Sequence, residues 1–319
     1  MPDPKSNTPI TPPAAADTAG SGTRCGFIAI IGSPNAGKST LVNQIVGSKV
    51  TIVSHKVQTT RAPVRGIAMH GTAQLIFIDT PGIFQPKRRL DRAMVDAAWG
   101  GVADADVTAL MVDSVRGYDE DVANIVERLK DTRGKKLLIL NKVDLLAHKD
   151  KLLLLVKELT AAVAFERVFM ISALDGSGVK DFTAYLAAAV PVGPYHYPED
   201  EISDLPMRML AAEITREKIF HRLHDELPYH ITVETTEWKT LKGGAARIEQ
   251  TIYVERDSQK KIVLGKDGAT IKQISMESRL ELAKLFDHPV HLFMFVKVRD
   301  NWGNDPERYR EMGLNFPKA

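Results

Sequence analysis

A nine-residue stretch near the start of the chain, GSPNAGKST at residues 32–40, constrains the fold more than any other segment. Its spacing, Gly-x-x-x-x-Gly-Lys-Ser, is that of a loop whose backbone N–H groups surround phosphates. Such a loop follows a buried strand and begins a helix, because the helix N-terminus adds partial positive charge. The apolar run FIAII precedes it and the helical run LVNQIV follows it. The sequence therefore predicts an α/β domain that binds a nucleotide.

Each position of this loop has a predicted role. Lys38 reaches the outer phosphates, and the Ser39 hydroxyl binds Mg²⁺. The predicted nucleotide-binding residues of the loop are Gly32, Asn35, Ala36, Gly37, Lys38, Ser39 and Thr40. With Gly at roughly 7% of residues, such a spacing arises by chance in about one chain in a hundred, and its position after a strand makes coincidence rarer.

Five short apolar runs alternate with helical stretches from Gly26 onward: FIAII, LIFID, VTALMVD, KLLILN and RVFMIS. Strands that are apolar on both faces are typical of a mostly parallel sheet covered by helices. A His-Gly-Thr turn within VRGIAMHGTAQLIFID predicts one antiparallel hairpin in that sheet. We expect an α/β fold, followed by a smaller α+β domain.

A second motif, DTPG at residues 79–82, follows the second strand of the hairpin. Taken alone it is an ordinary turn. After a phosphate-binding loop it gains a role, because Asp79 can reach Mg²⁺ through water and the Gly82 N–H can sense a γ-phosphate. The sequence thus predicts Ser39 and Asp79 as metal-binding residues.

Two further motifs predict a guanine site. NKVD at residues 141–144 ends a strand, and the Asp144 carboxylate can accept hydrogen bonds from guanine N1–H and the exocyclic amine. Adenine presents an acceptor there, so the charge would be left unpaired. Lys142 can lie along the base, and Asn141 can tie this loop to the phosphate-binding loop. Ser172 and Ala173, after the next strand, place a backbone N–H near guanine O6.

A proline-rich run, residues 191–205, separates this domain from a different pattern of helix, strand, strand, helix, helix, strand. GKDG at residues 265–268 lies between the last two helices. Eight basic residues oppose four acidic ones between positions 258 and 299, so a basic edge surrounds the loop. The predicted RNA-binding residues are Lys260, Lys261, Gly265, Lys266, Asp267, Gly268 and Lys272. Nearby apolar residues form either a groove wall or the core: Ile262, Val263, Leu264, Ile271 and Ile274.

Composition excludes several classes of protein. The net charge of +2 excludes a strongly basic nucleic-acid coat, and one cysteine, Cys25, excludes an internal disulfide and fits a reducing compartment. The longest apolar runs are shorter than a membrane span, and the first 22 residues lack a secretion or transit signal. We expect a cytoplasmic protein.

The ordered motifs GSPNAGKS, QTTR, DTPG, NKVD and SAL resemble those of the translation-factor-related GTPases, and the match beyond the linker resembles the Era family. The resemblance covers nearly everything after residue 24. It implies slow hydrolysis of GTP with Mg²⁺, and it makes Thr60 of QTTR the first-switch threonine that binds Mg²⁺ and the γ-phosphate, with Thr59 as the alternative. The residues expected to carry catalysis are Asn35, Lys38, Thr60 and Gly82.

One position departs from Ras-like enzymes. Ile83 stands where those enzymes carry the glutamine that orients the attacking water. The family resemblance implies a hydrophobic substitute there, and it suggests that Asn35 holds a potassium ion in place of an arginine finger. Simple loop geometry accounts for Asn35 equally well.

The GKDG loop and its element order resemble the second KH topology, in which a nucleic-acid backbone approaches the glycines. The resemblance implies binding of single-stranded RNA of the small ribosomal subunit and a role in assembly of that subunit. We also expect a monomer, with peripheral contact at the inner membrane. The alternative is a GTPase switch whose last domain is a protein or membrane-surface adaptor. Asp144 argues against an ATPase.

We therefore expect five segments. Residues 1–22 are a disordered tail, 23–190 a GTPase domain, 191–205 a linker, 206–300 a KH domain and 301–319 a C-terminal tail. The sparse large apolar side chains of the first segment cannot offset the entropy of ordering it.

Overall fold

The computed structural model describes residues 22–148, 150–224, 227–300 and 302–317. The predicted disordered tail, residues 1–22, lies outside the described residues except for Gly22. The described residues form two sheets, one of six strands and one of three. None of the helices in these ranges is both long enough and apolar enough to cross a bilayer.

The first domain alternates strands and helices. Its elements are β1 (Arg24–Ile31), α1 (Lys38–Val46), β2 (Val64–His70), β3 (Ala73–Asp79), α2 (Arg89–Ala103), β4 (Val107–Asp113), α3 (Glu120–Lys130), β5 (Lys135–Asn141), α4 (Asp150–Ala162), β6 (Arg167–Met170) and α5 (Val179–Ala189). The strand order is β2-β3-β1-β4-β5-β6. Only the β2–β3 pair is antiparallel, so the predicted hairpin in a parallel sheet is confirmed.

Burial on both faces explains this sheet. Every residue of β3 and β4 is buried. Along β1, Ile28 and Ile30 belong to the core that includes α1 and α5, whereas Ala29 and Ile31 belong to the core under α2, α3 and α4. Because β1, β3, β5 and β6 run parallel, the loops that follow them meet at one edge of the sheet.

The second domain has the predicted order of elements. It consists of α6 (Met207–Arg222), β7 (Thr232–Thr240), β8 (Ala246–Val254), α7 (Asp257–Leu264), α8 (Ala269–Phe286) and β9 (Val290–Val298). β7 and β8 pair antiparallel, and β8 and β9 pair parallel. Val263 and Ile274 are core residues, Ile271 packs against the same core, and Ile262 is exposed.

The segments at either end of the second domain pack against the first. In the linker, Ile202 accepts a backbone hydrogen bond from Ile67 of β2. After residue 300, the chain forms a short helix, α9 (Pro306–Glu311), and buries Trp302 and Tyr309 in one cluster with residues of α2. The described part of the segment expected to be a C-terminal tail is therefore packed against the first domain. This packing removes the large apolar surface of the two aromatic side chains from solvent.

Candidate nucleotide and RNA sites

The phosphate-binding loop lies between β1 and α1, and its lysine is buried. Lys38 Nζ donates to the carbonyls of Gly32 at 3.1 Å and Ser33 at 3.0 Å. Burial lowers the pKa of Lys38 to about 8, and the nearby Asp79 carboxylate opposes this shift. The Lys38 ammonium group, held by carbonyls of its own loop, is placed to neutralise the outer phosphates of a nucleotide.

Three hydroxyls surround the carboxylate of Asp79. Its Oδ2 accepts from Ser39 Oγ at 2.7 Å, from Thr51 Oγ1 at 2.8 Å and from Thr60 Oγ1 at 3.4 Å. The hydroxyls of Ser39 and Thr60 are 3.0 Å apart. Burial raises the pKa of Asp79. The structure thus brings together the three predicted metal-binding residues, and it adds Thr51, which no sequence motif indicated.

This oxygen cluster fits Mg²⁺. Asp79 Oδ1 is buried and has no hydrogen-bond partner among the described residues, so it has an unused lone pair. Hydroxyl and carboxylate oxygens are the ligands that Mg²⁺ prefers, and Mg²⁺ keeps several waters and phosphate oxygens in its shell. Ser39 and Thr60 would hold the ion, and Asp79 would orient its water.

Asn141 joins three of the loops. Its Nδ2 donates to the carbonyl of Ala36 at 2.7 Å, and its Oδ1 accepts from the backbone N–H of Ala173 at 2.9 Å. A side chain from the NKVD loop therefore holds both the phosphate-binding loop and the SAL loop, as the sequence predicted for the first of these contacts.

The loops that the sequence predicts to recognise guanine line one cavity together. Lys142 has a positive φ of 64°, and its Nζ lies 2.6 Å from Asp113 Oδ2. Asp144 is exposed in a 3₁₀ turn, Val143–Leu145, and Ser172 and Ala173 are buried behind it. The sequence prediction did not include Asp113, although this residue ends β4 at the same edge of the sheet as the other motifs.

Gly82 lines the same cavity, and Ile83 follows it in the chain. A β-carbon at Gly82 would lie 2.9 Å from the backbone of Pro34, so the DTPG turn packs directly on the phosphate-binding loop. Ile83 donates its N–H to the Gly32 carbonyl at 3.0 Å. Its side chain is buried in the cluster that contains Val95, so it packs into the core.

These loops enclose a cavity of about 410 Å³. Twelve of the predicted residues line it: Asn35, Gly37, Lys38, Ser39, Thr40, Thr60, Gly82, Asn141, Lys142, Asp144, Ser172 and Ala173. Gly32, Ala36 and Asp79 lie behind them, in contact through the hydrogen bonds described above. A concave site of this volume with convergent cationic, amide and carboxylate groups suits a nucleotide.

The GKDG loop is exposed on the second domain. Gly265 and Gly268 have φ values of 73° and 75°, and a β-carbon at Gly265 would lie 2.2 Å from Thr270 Oγ1. Lys266 and Asp267 are exposed at the tip of the loop between them. Within the described residues, none of the predicted RNA-binding lysines forms an ion pair; they are Lys260, Lys261, Lys266 and Lys272. These positive charges are free to meet an anion.

Comparison with known families finds a GTPase domain followed by a KH domain. Residues 27–142 match the family described as 50S ribosome-binding GTPase, and residues 226–303 match the KH domain family. GTPase Era of Brucella suis biovar 1 is 61% identical over 307 residues, which are 96% of this chain and 98% of that protein. GTPase Era of Rhizobium meliloti is 64% identical over 296 residues, which are 93% of this chain and 94% of that protein.

Solved structures agree over both domains. An Era variant from Aquifex aeolicus bound to GDP·AlF₄⁻ superposes with a TM-score of 0.87 at 36% identity, covering 91% of this chain and 99% of that one. Era in complex with MgGDPNP and nucleotides 1506–1542 of 16S ribosomal RNA superposes with a TM-score of 0.86 at 35% identity and the same coverage. Scores this high over nine-tenths of the chain require both domains to superpose together.

Proposed function

The chain belongs to the Era family of GTPases, and from this premise we propose that its KH domain binds single-stranded RNA of the small ribosomal subunit and assists assembly of that subunit. The protein is a GTPase that uses Mg²⁺. The proposal assigns GTP to the cavity of the first domain and RNA to the GKDG edge of the second.

In the nucleotide site, the residues divide by chemistry. Lys38 and the loop N–H groups bind the outer phosphates, and Asp144 selects guanine. Ser39 and Thr60 would hold Mg²⁺, and Asp79 would orient water on the ion. When bound, the ion neutralises charge on the phosphate oxygens. Thr60 and the N–H of Gly82 contact the γ-phosphate, so both distinguish GTP from GDP.

Asn35 would hold a potassium ion, which would supply positive charge where an arginine finger otherwise would. The support is local: Asn35 has a φ of 64°, and its Nδ2 donates to the carbonyl of His55 at 2.8 Å. This contact brings oxygen atoms of two loops close together, and such oxygens are suitable ligands for K⁺. Equal hydrolysis rates in potassium and sodium chloride would exclude this part of the proposal.

The RNA part rests on one observation, the exposed Gly265–Gly268 loop with a basic edge whose lysines have no acidic partner among the described residues. Glycines let a phosphodiester backbone approach closely, and free lysines neutralise its charge. A relative in this family is solved with a segment of 16S ribosomal RNA. These features favour RNA over a protein or membrane adaptor. Action as a monomer in the cytoplasm, with peripheral membrane contact, stays a prediction.

Crosslinking tests the proposal directly. The full-length protein, loaded with a non-hydrolysable GTP analogue, is irradiated with total cell RNA, and the attached RNA is sequenced. We expect enrichment of small-subunit ribosomal RNA near one terminus. Uniform recovery of all RNAs, or recovery that is the same after Lys266→Asp, would contradict it.

A further inference from the structure

The second domain contacts the first on both sides of Thr60. The first switch segment, residues 50–61, runs between the nucleotide cavity and α6. The guanidinium of Arg216, on α6, donates to the carbonyl of Thr59. On the other side, Arg61 Nη1 donates to the carbonyl of Ile231, just before β7, at 2.9 Å. The two residues that flank Thr60 are therefore both bound to the KH domain.

Contacts within its own helix hold the Arg216 side chain in position. The residue is only 1% exposed, and its Nε donates to Glu213 Oε1 at 2.8 Å. The guanidinium carbon lies 5.1 Å from the ring centroid of Phe220 on the same helix. An arginine held by a carboxylate and an aromatic face has little rotamer freedom, so the position of Thr59 is tied to α6.

Arg61 is held equally firmly from the switch side. It is 4% exposed, and its guanidinium carbon lies 5.6 Å from the ring of Trp302. Trp302 in turn donates its indole N–H to the carbonyl of His230 at 3.0 Å. Arg61 therefore joins the switch segment to the segment before β7 and to the packed C-terminal residues.

Further along the segment, Glu217 of α6 makes a third contact. Its Oε1 accepts the backbone N–H of Val53 at 2.9 Å, and its Oε2 lies 2.6 Å from Lys49 Nζ. Glu217 is buried, so these bonds are shielded from water. One helix of the KH domain thus holds the segment at Val53 and at Thr59.

The result of these contacts is the position of the Thr60 hydroxyl, 3.0 Å from Ser39 Oγ and within the oxygen cluster around Asp79. The same arrangement of the two domains is found in relatives solved with GDP·AlF₄⁻ and MgGDPNP. We propose that Arg216 is a positioning residue for GTP hydrolysis, which acts from the KH domain by holding the Thr59 carbonyl so that Thr60 stays at the metal and γ-phosphate. The inference rests on the GTPase activity and not on RNA binding.

The test compares Arg216→Ala and Arg216→Lys with the wild-type full chain, without RNA. For Arg216→Ala we expect the single-turnover rate constant to fall roughly tenfold or more, since a hydrogen bond to a charged group is lost next to the reacting centre. Half-saturation by Mg²⁺ should require more metal. GDP affinity should change by less than about twofold, because Thr60 senses the γ-phosphate. Arg216→Lys should recover part of the rate, since an ammonium can make one of these bonds.

A second readout does not involve catalysis. Amide hydrogen exchange of residues 50–61 should become faster in nucleotide-free Arg216→Ala, while exchange in β4 stays unchanged. The control is Arg222→Ala, which removes a more exposed arginine of the same helix that pairs with Glu277. It should leave both the rate and the exchange near wild type.

A folded Arg216→Ala variant with a wild-type rate and wild-type exchange would overturn the proposal, and so would equal losses of GDP and GTP affinity. If that variant does not fold, Glu213→Gln replaces the partially exposed anion that orients Arg216. It should slow hydrolysis in the same direction and speed exchange in residues 50–61. A folded Glu213→Gln variant without either change would equally reject the role of Arg216.

Discussion

The side-chain amide of Asn141 occupies the space that a β-carbon at position 37 would need. An added β-carbon on Gly37 would lie 2.2 Å from Asn141 Nδ2, and Gly37 has a φ of 102°. Both the backbone conformation and the space therefore exclude any other residue. The phosphate-binding loop and the NKVD loop therefore contact each other closely at this pair.

Gly37→Ala should consequently abolish nucleotide binding and lower stability. Strain at positive φ costs about 1–2 kcal/mol, and the displaced Asn141 loses its bonds to Ala36 and Ala173. Gly47→Ala is the matched control, because Gly47 also has a positive φ, 75°, but an added β-carbon meets nothing within 4 Å. Urea unfolding and titration with a fluorescent GDP analogue measure both effects. Equal losses in the two variants would contradict this account.

Nucleotide affinity should fall as the pH rises above about 8. Burial lowers the pKa of Lys38 to about 8, so the nucleotide-free protein loses this charge above that pH. Bound phosphates favour the protonated lysine, so binding takes up a proton there, and the Kd should rise by up to about tenfold per pH unit. Calorimetry at pH 8.5 in two buffers of different ionisation enthalpy counts the proton. No uptake, together with a constant Kd between pH 7 and 9, would show that Lys38 stays charged.

Asp144→Asn should shift nucleotide preference from guanine to xanthine. The amide cannot accept from both guanine N–H donors, but it can donate to the oxygen that xanthine carries at that position. Competition titrations of GTP, XTP and ATP against a fluorescent analogue measure the preference. If the wild-type protein binds ATP as tightly as GTP, Asp144 does not select the base.

Lys266→Asp should weaken RNA binding and reduce its dependence on salt. The exposed cation is replaced by an anion while both glycines are kept, so the slope of log K against log salt should fall by about 0.7 or more for single-stranded RNA. Filter binding across a salt series, with circular dichroism to confirm folding, gives the slope. Lys157→Asp makes the same charge change on α4 of the first domain and serves as the control. GTP affinity should not change in either variant.

Ile83→Ala should destabilise the protein more than it alters hydrolysis. The side chain is buried in the core beneath α2, so truncation should cost about 2–5 kcal/mol of unfolding free energy. The N–H that binds the Gly32 carbonyl is kept. The rate per folded molecule should therefore stay near wild type at a temperature well below the unfolding transition. A large fall in rate with unchanged stability would assign Ile83 a direct role at the attacking water.

Much of the nucleotide site could be predicted from the sequence because its parts are local. A glycine at a sharp turn, a lysine at a helix start and an aspartate at a strand end each depend on a few neighbouring residues. Asp113 and Thr51 follow no such rule. Asp113 acts through Lys142, and Thr51 through Asp79, each more than twenty positions away. Such pairs form only in the folded chain. Asp113 meets Lys142 because β4 and β5 pair in register, and Thr51 meets Asp79 because the segment after α1 packs against the end of β3.

The sequence by itself determined the two domain types, the order of their elements and the two glycine loops, since hydrophobic periodicity and turn chemistry act over short distances. Only the tertiary structure decided what surrounds Thr60. Arg216 and Thr59 are 157 positions apart, and nothing in either local sequence marks one as the partner of the other. Their contact arises because α6 buries its apolar face in the KH core, which leaves Arg216 and Glu217 directed at the GTPase domain. Only folding brings the switch segment within reach of these two side chains.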